Sequence, residues 1–319
     1  MSSSSSLLQA LRWKKHFEHK IVWITGASSG IGEQLAGMLS FLGARLILSA
    51  RSEPGLERVR NNLSHPEHAR ILLLDLEQLD TLPAKAAAAE SLFGPIDILI
   101  NNAGLAVRDY ILNTLFEIDQ KLMKINYFGP MIITKAVLKH MVERGQGQIV
   151  AVSSLSAKYG VPRTAAYAAS KHALQGFFEC LRTEITMPGI SFTIIIPGII
   201  KTDITAHALI GDGSRHGVVE QSFREGYPLE KAALKIIRAI ALKKEEQFVG
   251  GREGFTLWIY RLSPYFFTRF IRNHPLKRFR RLMQWLKGGK KIIASTPVTH
   301  RPPPAYPDKT AGTPGNPHV

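Results

Sequence analysis

Short, unbroken runs of apolar residues alternate with longer segments of helical periodicity over most of the chain. The runs predict strands at residues 21–25, 45–49, 70–74, 96–100, 147–152, 190–196 and 247–250. The periodic segments predict helices at residues 31–42, 56–63, 114–144, 165–186 and 228–243. Because strands buried on both faces read as continuous apolar runs, the alternation predicts a parallel sheet covered by helices on both sides. With right-handed crossovers, the expected fold is a doubly wound, Rossmann-type α/β sheet.

The pattern also divides the chain into segments. Residues 1–19 are expected to form an N-terminal tail, and residues 20–251 form the main domain. Within that domain, residues 199–227 are rich in glycine and histidine without a clear period, which predicts a mobile loop over a ligand site. Residues 252–294 predict a basic, aromatic helical extension. Residues 295–319 are rich in proline and lack periodicity, which is typical of disorder.

The composition of the chain argues against disulfide-rich, membrane-spanning and secreted proteins. The chain has 319 residues, of which 45% are hydrophobic, enough for one sizeable core. A single cysteine, Cys180, excludes a disulfide framework and fits a reducing compartment. No apolar run reaches the length of a membrane span, and the apolar stretch around Leu7 is too short for a secretory signal. We therefore expect a cytoplasmic protein.

The formal net charge of +16 is unevenly spread along the chain. Residues 252–319 hold 13 Lys or Arg and two acids, Glu253 and Asp308, which gives +11. The first 251 residues therefore carry only +5, a value ordinary for a globular domain. The strongly basic character thus belongs to the C-terminal segment.

A glycine-rich segment lies where the first strand turns into the first helix. It reads Thr-Gly-Ala-Ser-Ser-Gly-Ile-Gly over residues 25–32. Glycine permits a tight turn and lets the backbone approach a pyrophosphate, whose charge a helix N-terminus favours. We therefore predict that this segment holds the diphosphate of a dinucleotide; an ordinary glycine-rich turn is the alternative. The binding residues would be Gly26, Ser28, Ser29, Gly30, Ile31 and Gly32.

The end of the second strand indicates which dinucleotide binds. An acid there would accept hydrogen bonds from a ribose 2′-hydroxyl and repel a 2′-phosphate, but the sequence is Ser49-Ala50-Arg51. Because the planar guanidinium of Arg51 suits a phosphate, we expect NADP rather than NAD. The alternative for Arg51 is a solvated arginine that starts a loop. Asp75, after the third strand, either meets the adenine edge or caps a turn.

Three residues form a candidate catalytic set. Ser154 follows the fifth predicted strand, at the carboxyl end of the sheet where ligands bind in such folds. Tyr167 and Lys171 lie four residues apart, on one face of the next predicted helix. A second Tyr-x-x-x-Lys match begins at Tyr227, but that tyrosine precedes a helix instead of lying within one. We interpret the second match as coincidence.

Carbonyl reduction suits these residue types, because it needs a hydride on carbon and a proton on oxygen. A free tyrosine, with a pKa of about 10, is a poor base near neutrality. A nearby Lys171 ammonium, together with an oxidised nicotinamide, would lower the pKa of Tyr167. Ser154 would donate a hydrogen bond to the substrate oxygen as charge develops there. Lys171 could also reach the ribose hydroxyls of the cofactor.

In their order, these motifs resemble those of the short-chain dehydrogenase/reductase family, in its classical subgroup, over residues 20–251. The resemblance implies that Asn126 completes a catalytic tetrad, with its backbone holding a water beside Lys171; otherwise Asn126 is a polar residue that interrupts an apolar helix. It also implies further cofactor contacts, at Asn102, Ala103 and Gly104 near the adenosine and at Pro197, Gly198 and Thr202 near the nicotinamide. A homodimer or homotetramer is expected.

Within the family, two stretches are similar to the branch of dehydrogenase/reductase members 7 and 7B. One is Tyr-Ala-Ala-Ser-Lys-His-Ala at residues 167–173, and the other is Leu-Trp-Ile-Tyr-Arg-Leu-Ser-Pro at residues 257–264. Members of that branch are associated with membranes and with lipid-like or steroid-like carbonyls. The resemblance therefore implies a hydrophobic substrate.

The C-terminal extension combines aromatic and basic residues. Residues 252–287 hold nine of the 27 aromatic residues of the chain. Apolar positions at helical spacing, set among arginines and lysines, are typical of a helix on an anionic membrane surface; they are Phe279, Leu282, Met283 and Leu286. The alternative is a helix pair that covers the substrate cleft. Nucleic acid is not expected as a partner, because no binding module accompanies the charge.

The sequence therefore predicts an NADP-dependent oxidoreductase without a metal, whose catalytic domain is residues 20–251. It would interconvert an alcohol and a ketone or aldehyde on a lipid-, steroid- or retinoid-like molecule. Peripheral association with a membrane is part of this hypothesis. The alternative is a cofactor-binding scaffold or redox sensor with little turnover, against which the intact Ser154, Tyr167 and Lys171 argue.

Overall fold

The computed structural model describes residues 3–273 of the chain. Its strands are β1 Ile21–Thr25, β2 Arg45–Ser49, β3 Ala69–Ile71, β4 Ile98–Asn101, β5 Gly147–Val152, β6 Ile190–Pro197 and β7 Glu246–Val249. They form one seven-stranded sheet in the order β3-β2-β1-β4-β5-β6-β7, and every neighbouring pair is parallel. The doubly wound parallel sheet predicted from the sequence is therefore confirmed.

Helices connect the strands and flank the sheet. They are α1 Ser3–Ala10, α2 Lys14–Phe17, α3 Gly30–Phe41, α4 Glu53–Asn61, α5 Leu82–Phe93, α6 Phe116–Met123, α7 Gly129–Arg144, α8 Ala165–Glu184, α9 Gln221–Arg224, α10 Leu229–Ala241, α11 Phe255–Leu262 and α12 Pro264–Asn273. A π-helical turn, Lys124–Phe128, joins α6 to α7. Among residues 3–273, no helix is long and apolar enough to cross a membrane.

Alternate side chains of the strands enter two separate apolar layers. Val22 and Ile24 pack with α3 and α10 on one side of the sheet. Trp23 and Ile47 pack with α5, α7 and α8 on the other side. Trp23 is fully buried, and its indole N–H donates to Ser49 Oγ at 2.9 Å. Burial of a large apolar side chain stabilises the folded state by about 1.5–3 kcal/mol. The two layers therefore stabilise the sheet that carries the candidate site at its carboxyl edge.

The edges of some elements differ from their predicted positions. Strand β3 ends at Ile71, three residues earlier than expected, although the N–H groups of Leu72 and Leu74 still donate to carbonyls beside β2 at 3.0 Å. Strand β4 begins at Ile98, two residues later than expected. The single helix expected at residues 114–144 is divided by the π-helical turn. These shifts follow from contacts between neighbouring strands and helices, which local periodicity does not contain.

The segment expected to be an N-terminal tail is helical and packed. Ala10 and Phe17 are fully buried, and Leu7 and Trp13 pack against the same apolar layer as α3 and α10. These four residues recur every three or four positions, which is the spacing of one helix face. Residues 3–17 therefore belong to the body of the domain.

Residues 199–227, which we call the cap, were expected to be a mobile loop, but the structure shows an ordered segment. The N–H of Leu209 donates to Ala106 O at 2.9 Å, and the N–H of Arg108 donates to Leu209 O at 2.8 Å. A short helix, α9, lies near the end of the cap. Backbone pairing of this kind needs no hydrophobic period, so it leaves no periodic pattern from which the order of the cap could be predicted.

Asp109, which is not part of the cap, holds the cap in place through hydrogen bonds. Its carboxylate accepts hydrogen bonds from the N–H of Gly211 at 2.9 Å, the N–H of Tyr110 at 2.7 Å and the side-chain amide of Asn113 at 3.1 Å. Burial raises the pKa of Asp109, but these hydrogen bonds and the charge of Arg163 outweigh it and hold the pKa below its ordinary value of 3.8. The ionised carboxylate is thus the form that closes the cap.

We expect Asp109→Ala to lower the free energy of unfolding at pH 7 by on the order of 1–3 kcal/mol, because hydrogen bonds to a charged acceptor are lost. A carboxyl with a depressed pKa stabilises the fold fully above its unfolded pKa, and that stabilisation disappears as the pH falls through the folded value. Thermal unfolding from pH 7 to pH 3 should therefore show a difference from wild type that shrinks below about pH 3.8. The exposed Asp80→Ala serves as control, and an unchanged difference at pH 3 would contradict the role of the charge.

The C-terminal extension begins after β7 with α11 and α12. The ring of Phe267 lies 4.4 Å from that of Tyr159 and 5.4 Å from that of Tyr260, between centroids. This aromatic cluster anchors the helix pair on the segment between β5 and α8. The opposite side of the pair leaves large side chains exposed, namely Phe255, Trp258, Leu262, Tyr265 and Phe266.

Two predictions fall beyond Asn273. The basic amphipathic helix around Phe279 and Leu282 lies outside the described residues, and so does the proline-rich segment 295–319. Both remain predictions from the sequence.

Candidate active site

The carboxyl ends of β1 and β4 frame a crevice, because the strand order reverses between these two neighbours. The glycine-rich segment leaves β1 on one side of it, and Asn102 follows β4 on the other. Asn102 Nδ2 donates to the carbonyl oxygens of Thr25 at 3.0 Å and Gly26 at 3.1 Å. The N–H groups of Asn102 and Ala103 both donate to Thr25 Oγ1 at 3.1 Å. The structure therefore brings these two predicted cofactor segments together.

Two glycines of the first segment are required by its geometry. Gly26 has a φ of +67°, and a Cβ there would lie 2.7 Å from Ala103 Cα. A Cβ on Gly32 would overlap the carbonyl oxygen of Gly26. Ser29, the residue before α3, makes no side-chain cap, so the first N–H groups of the helix are available to an anion. The segment fits a pyrophosphate, which is the group that the sequence predicts for it.

The start of the cap lies against the same segment. A Cβ on Gly30, where φ is +55°, would lie 3.6 Å from Thr202 Cγ2. Pro197, the last residue of β6, is buried, and Gly198 is partly buried. Thr202 thus lies beside the glycine-rich segment, and contacts of Thr202, Pro197 and Gly198 with a cofactor stay a prediction.

The residues expected near the adenosine lie at the ends of β2 and β3. Arg51 is exposed, two residues beyond β2. Asp75 Oδ1 accepts the N–H of Glu77 at 3.0 Å, so Asp75 caps the turn after β3, which is one of its two predicted roles. A contact between Asp75 and adenine stays a prediction.

Sequence reasoning missed Arg58, which braces the glycine-rich segment. Its guanidinium donates to both carboxylate oxygens of Glu33, at 2.5 and 2.9 Å, and to Ser28 O at 3.0 Å. Hydrogen bonding to Glu33 and the charge of that carboxylate raise the pKa of Arg58. Arginine on an exposed helix face is common, so nothing in the local sequence signalled this contact.

Lys171 lies almost fully buried in α8, with 3% of its surface exposed. Its Nζ donates to Val152 O at 2.9 Å. A Cβ on Gly104 would lie 3.4 Å from that Nζ and 3.3 Å from Asn126 Oδ1, so these three residues meet at one point. Burial lowers the pKa of Lys171 to about 8. The lysine can therefore exchange a proton near neutral pH, which an exposed lysine cannot do readily.

Asn126 occupies the π-helical turn and is fully buried. Its Oδ1 accepts the N–H of Leu105 at 2.8 Å, and its Nδ2 donates to Leu105 O and to Ser170 Oγ, both at 2.9 Å. Turns of this kind within helices occur frequently at functional sites. The side chain holds residue 105 against α8, and a role of its backbone in holding water stays a prediction.

Tyr167 lies on α8, one turn before Lys171, and close enough to Ser154 for that hydroxyl to act on its pKa. Burial raises the pKa of Tyr167 above its ordinary value of 10.0, while Ser154 and the positive charge of Arg108 act in the opposite direction. The expected lowering by Lys171 is therefore not seen in the chain by itself, because removal from water disfavours the phenolate more strongly. Protonated Tyr167 is the resting form, which suits a proton donor.

Arg108 is a second residue that the sequence did not reveal. Its Nε lies 3.5 Å from Glu220 Oε1, and its guanidinium lies 5.6 Å from the ring centroid of Phe223. Both partners belong to the cap. Arg108 therefore holds the cap while placing a positive charge near Tyr167, a combination that depends on contacts between distant parts of the chain.

The second Tyr-x-x-x-Lys match has different surroundings. The N–H of Tyr227 donates to Ile199 O at 2.7 Å, and Lys235 Nζ lies 4.5 Å from its ring centroid. Ser214, which precedes it at the spacing of the first match, lies in a turn where its N–H donates to Asp212 Oδ1 at 2.8 Å. Tyr227 is a packing residue at the base of the cap.

The short chain dehydrogenase family matches residues 20–210. Dehydrogenase/reductase SDR family member 7B of Mus musculus is 38% identical over 280 residues, which cover 85% of this chain and 86% of that protein. The chain belongs to the short-chain dehydrogenase family. Both the family resemblance and the narrower resemblance to its 7 and 7B branch are confirmed.

Solved structures of other short-chain dehydrogenases have the same fold. One from Burkholderia phymatum, in complex with NAD, superposes with a TM-score of 0.69 at 21% identity, over 77% of this chain and 94% of its own. A variant of actinorhodin polyketide ketoreductase, with NADPH, superposes with a TM-score of 0.56 at 34% identity, over 59% of this chain and 73% of its own. As a member of the short-chain dehydrogenase family, the chain is a cofactor-dependent oxidoreductase.

Proposed function

We propose that this chain is an NADP-dependent oxidoreductase that interconverts an alcohol and a ketone or aldehyde on a hydrophobic molecule. The observation that carries the proposal is the arrangement of Ser154, Tyr167 and Lys171 beside the crevice that Gly26 and Asn102 frame. Solved relatives are described as complexes with NAD or NADPH, which supports a nicotinamide cofactor here.

In the direction of reduction, the nicotinamide supplies the hydride to the carbonyl carbon. Tyr167 donates its phenolic proton to the carbonyl oxygen, and its raised pKa keeps that proton in place until the substrate binds. Ser154 donates a hydrogen bond to the same oxygen as negative charge develops on it. Lys171, with a pKa of about 8, can return a proton toward Tyr167 after turnover. Asn126 keeps the backbone at residue 105 against α8 and so maintains the site.

The proposed preference for NADP rests on the end of β2. Arg51 stands there, exposed, where an acid would favour the free 2′-hydroxyl of NAD. An exposed guanidinium can turn toward a 2′-phosphate without losing an existing structural role. Arg58 braces the neighbouring Ser28 carbonyl, while its charge is balanced by the carboxylate of Glu33.

The proposed hydrophobic substrate is supported by the surroundings of Tyr167. Tyr167 packs against a buried apolar cluster that includes Val107, and Leu209 packs against the same cluster from the cap side of the joint between the cap and the segment before it. Beyond that joint, large apolar side chains are left in contact with water; among them are Ile111, Leu112 and Phe116, which are 71%, 76% and 67% exposed. Apolar exposure of this extent beside a site marks a surface for binding apolar molecules.

A screen of ketones, retinals, steroids and long-chain carbonyls with NADPH and NADH tests the proposal. Oxidation of the reduced cofactor should depend on an apolar carbonyl and should be at least about a hundredfold slower in the Tyr167→Phe variant. If the folded protein binds neither cofactor, the proposed function is wrong. If it turns over only small polar carbonyls, the proposed substrate class is wrong.

We also propose that the extension, residues 252–294, attaches the enzyme reversibly to an anionic membrane surface. The exposed side of α11 and α12 supports this, since Trp258 and Leu262 are 66% and 84% exposed and Arg261 lies beside them. Aromatic and basic residues together are typical of a surface-bound helix. Each Lys or Arg near an anionic bilayer contributes about 1 kcal/mol, so the basic segment that follows Asn273 could supply a few kcal/mol.

We expect the full chain to sediment with anionic vesicles at low salt and to dissociate at high salt. Deletion of residues 276–291 should abolish that binding, because it removes the basic and apolar residues together. Deletion of residues 304–319, which has the same length but no net charge, is the matched control and should bind like the full chain. Binding to neutral vesicles alone, or no binding at all, would contradict the proposal.

A further inference from the structure

The turn that begins the C-terminal extension closes over the end of β6. Glu253 Oε1 accepts two backbone hydrogen bonds there, from the N–H of Ile199 and from the N–H of Gly251, both at 3.0 Å. Ile199 directly follows Pro197 and Gly198, the residues expected beside the nicotinamide. One carboxylate oxygen therefore joins the extension to the backbone at the edge of the candidate site.

Three glycines leave room for that carboxylate. A Cβ on Gly198 or on Gly250 would collide with Glu253 Oε1, and a Cβ on Gly251 would lie 3.0 Å from its Oε2. No positive φ is recorded for these glycines, so their backbone does not demand glycine. The three nearest atoms to a Cβ on Gly198 all belong to Glu253, so a side chain at residue 198 would displace that carboxylate.

The same turn also holds the other wall of the site. The carbonyl oxygen of Glu253 accepts a hydrogen bond from Thr256 Oγ1. That hydroxyl lies 2.6 Å from the hydroxyl of Tyr159, which belongs to the segment between Ser154 and α8. The turn is thus hydrogen-bonded both to the end of β6 and to the segment that follows Ser154.

We propose that Glu253 is a positioning residue, whose carboxylate fixes the backbone at Gly198 and Ile199 in the place that the nicotinamide ring requires. The inference rests on the proposed function, because it takes the nicotinamide to lie beside Pro197 and Gly198. Displacing a positioning contact by about 1 Å can cost a hundredfold in rate, so two hydrogen bonds at this point matter to hydride transfer. In the sequence, Glu253 was visible only as an isolated acid in a basic segment.

The test compares a complete cofactor with a fragment that lacks nicotinamide. NADPH and 2′-phospho-ADP-ribose are titrated against wild type, Glu253→Ala and Glu253→Gln. For Glu253→Ala we expect the Kd of NADPH to rise about tenfold, as for the loss of one or two hydrogen bonds, while the Kd of the fragment stays within about twofold. Glu253→Gln should restore NADPH binding, because its amide oxygen can accept the same two N–H groups.

Two further variants guard against a merely structural effect. Thr256→Val removes the hydroxyl between the turn and Tyr159 but keeps the carboxylate, so its NADPH affinity should stay close to that of wild type. Glu253→Asp withdraws the carboxylate by one methylene and should fold even if the alanine variant does not. Its affinity for NADPH should fall partially, while its affinity for the fragment should not change. For a protein that prefers NADH, the pair becomes NADH and ADP-ribose.

The outcomes separate the two proposals. Wild type that binds neither cofactor overturns the proposed function and this inference with it. If wild type binds NADPH but Glu253→Ala loses as much affinity for the fragment as for NADPH, the proposed function stands and only this inference is wrong. The same holds if Glu253→Ala and Glu253→Asp bind NADPH like wild type, or if Thr256→Val loses as much affinity as Glu253→Ala.

Discussion

Replacing Tyr167 with phenylalanine should lower kcat by roughly 10²- to 10⁴-fold, the range that a general acid contributes. The substitution removes the hydroxyl, and with it the proton for the substrate oxygen. It leaves the ring, which packs against the buried cluster that includes Val107, so the fold and the cap should be unchanged. The Kd of the cofactor should therefore change by no more than about twofold.

Steady-state kinetics with the substrate found in the carbonyl screen, together with cofactor titration, measure these two effects. Tyr227→Phe is the matched control, because it makes the same chemical change in the second Tyr-x-x-x-Lys match. That variant should retain nearly full kcat, since only the backbone and ring of Tyr227 make the contacts described above. Substantial turnover by Tyr167→Phe, or loss of turnover by Tyr227→Phe, would overturn the assignment of the proton donor.

Arg51→Asp should reverse the choice between NADPH and NADH. The change removes a partner for the 2′-phosphate and introduces a carboxylate that repels it and accepts hydrogen bonds from a free ribose. If each of these effects is worth about 1.5 kcal/mol, the ratio of the two affinities should shift on the order of a hundredfold. Fluorescence titration of wild type and variant with both reduced cofactors gives that ratio.

Arg60→Asp is the control for Arg51→Asp. Arg60 lies on α4, where its guanidinium pairs with Glu57 at 2.6 Å, so the variant makes the same change in charge away from the crevice. It should leave the cofactor ratio within about threefold of wild type, since exposed charges are largely screened. An unchanged ratio in Arg51→Asp would show that another group holds the phosphate, and Arg58 beside Ser28 would be the next residue to replace.

The sheet was predictable because its strands are buried on both faces and therefore leave continuous apolar runs in the sequence. The end of β3 was not predictable from the sequence. Beyond Ile71 the backbone still donates hydrogen bonds to carbonyls of β2 and of the residue after it, until the turn that Asp75 caps. The cap was missed for a related reason. Its order comes from backbone pairing of Leu209 and from one carboxylate, Asp109, and neither produces a periodic pattern.

The residues of the candidate site also fall into those that the sequence predicts and those that it does not. Some residues of the site belong to short motifs whose spacing follows from one turn or one helix, so the neighbouring sequence was enough to predict them; they are Gly26, Ser154, Tyr167 and Lys171. Other contributions depend on partners far along the chain; they are Arg58 on Glu33, Arg108 on Glu220 and Glu253 on Ile199. The pKa of Tyr167 is of the second kind, because the depth of burial that raises it is a property of the packed molecule.

The docking of α1 against α10 has a consequence for how the chain is made. Ala10 at the end of α1 and Leu229 at the start of α10 are 219 positions apart in the sequence, yet the two helices are in contact. At roughly 5–20 residues per second on the ribosome, α1 waits about 10–40 s for its partner to be synthesised. Throughout that time Leu7 and Trp13 lack the part of their apolar layer that α10 supplies. Helix α1 is thus synthesised well before α10 but completes its packing only after α10 has been made.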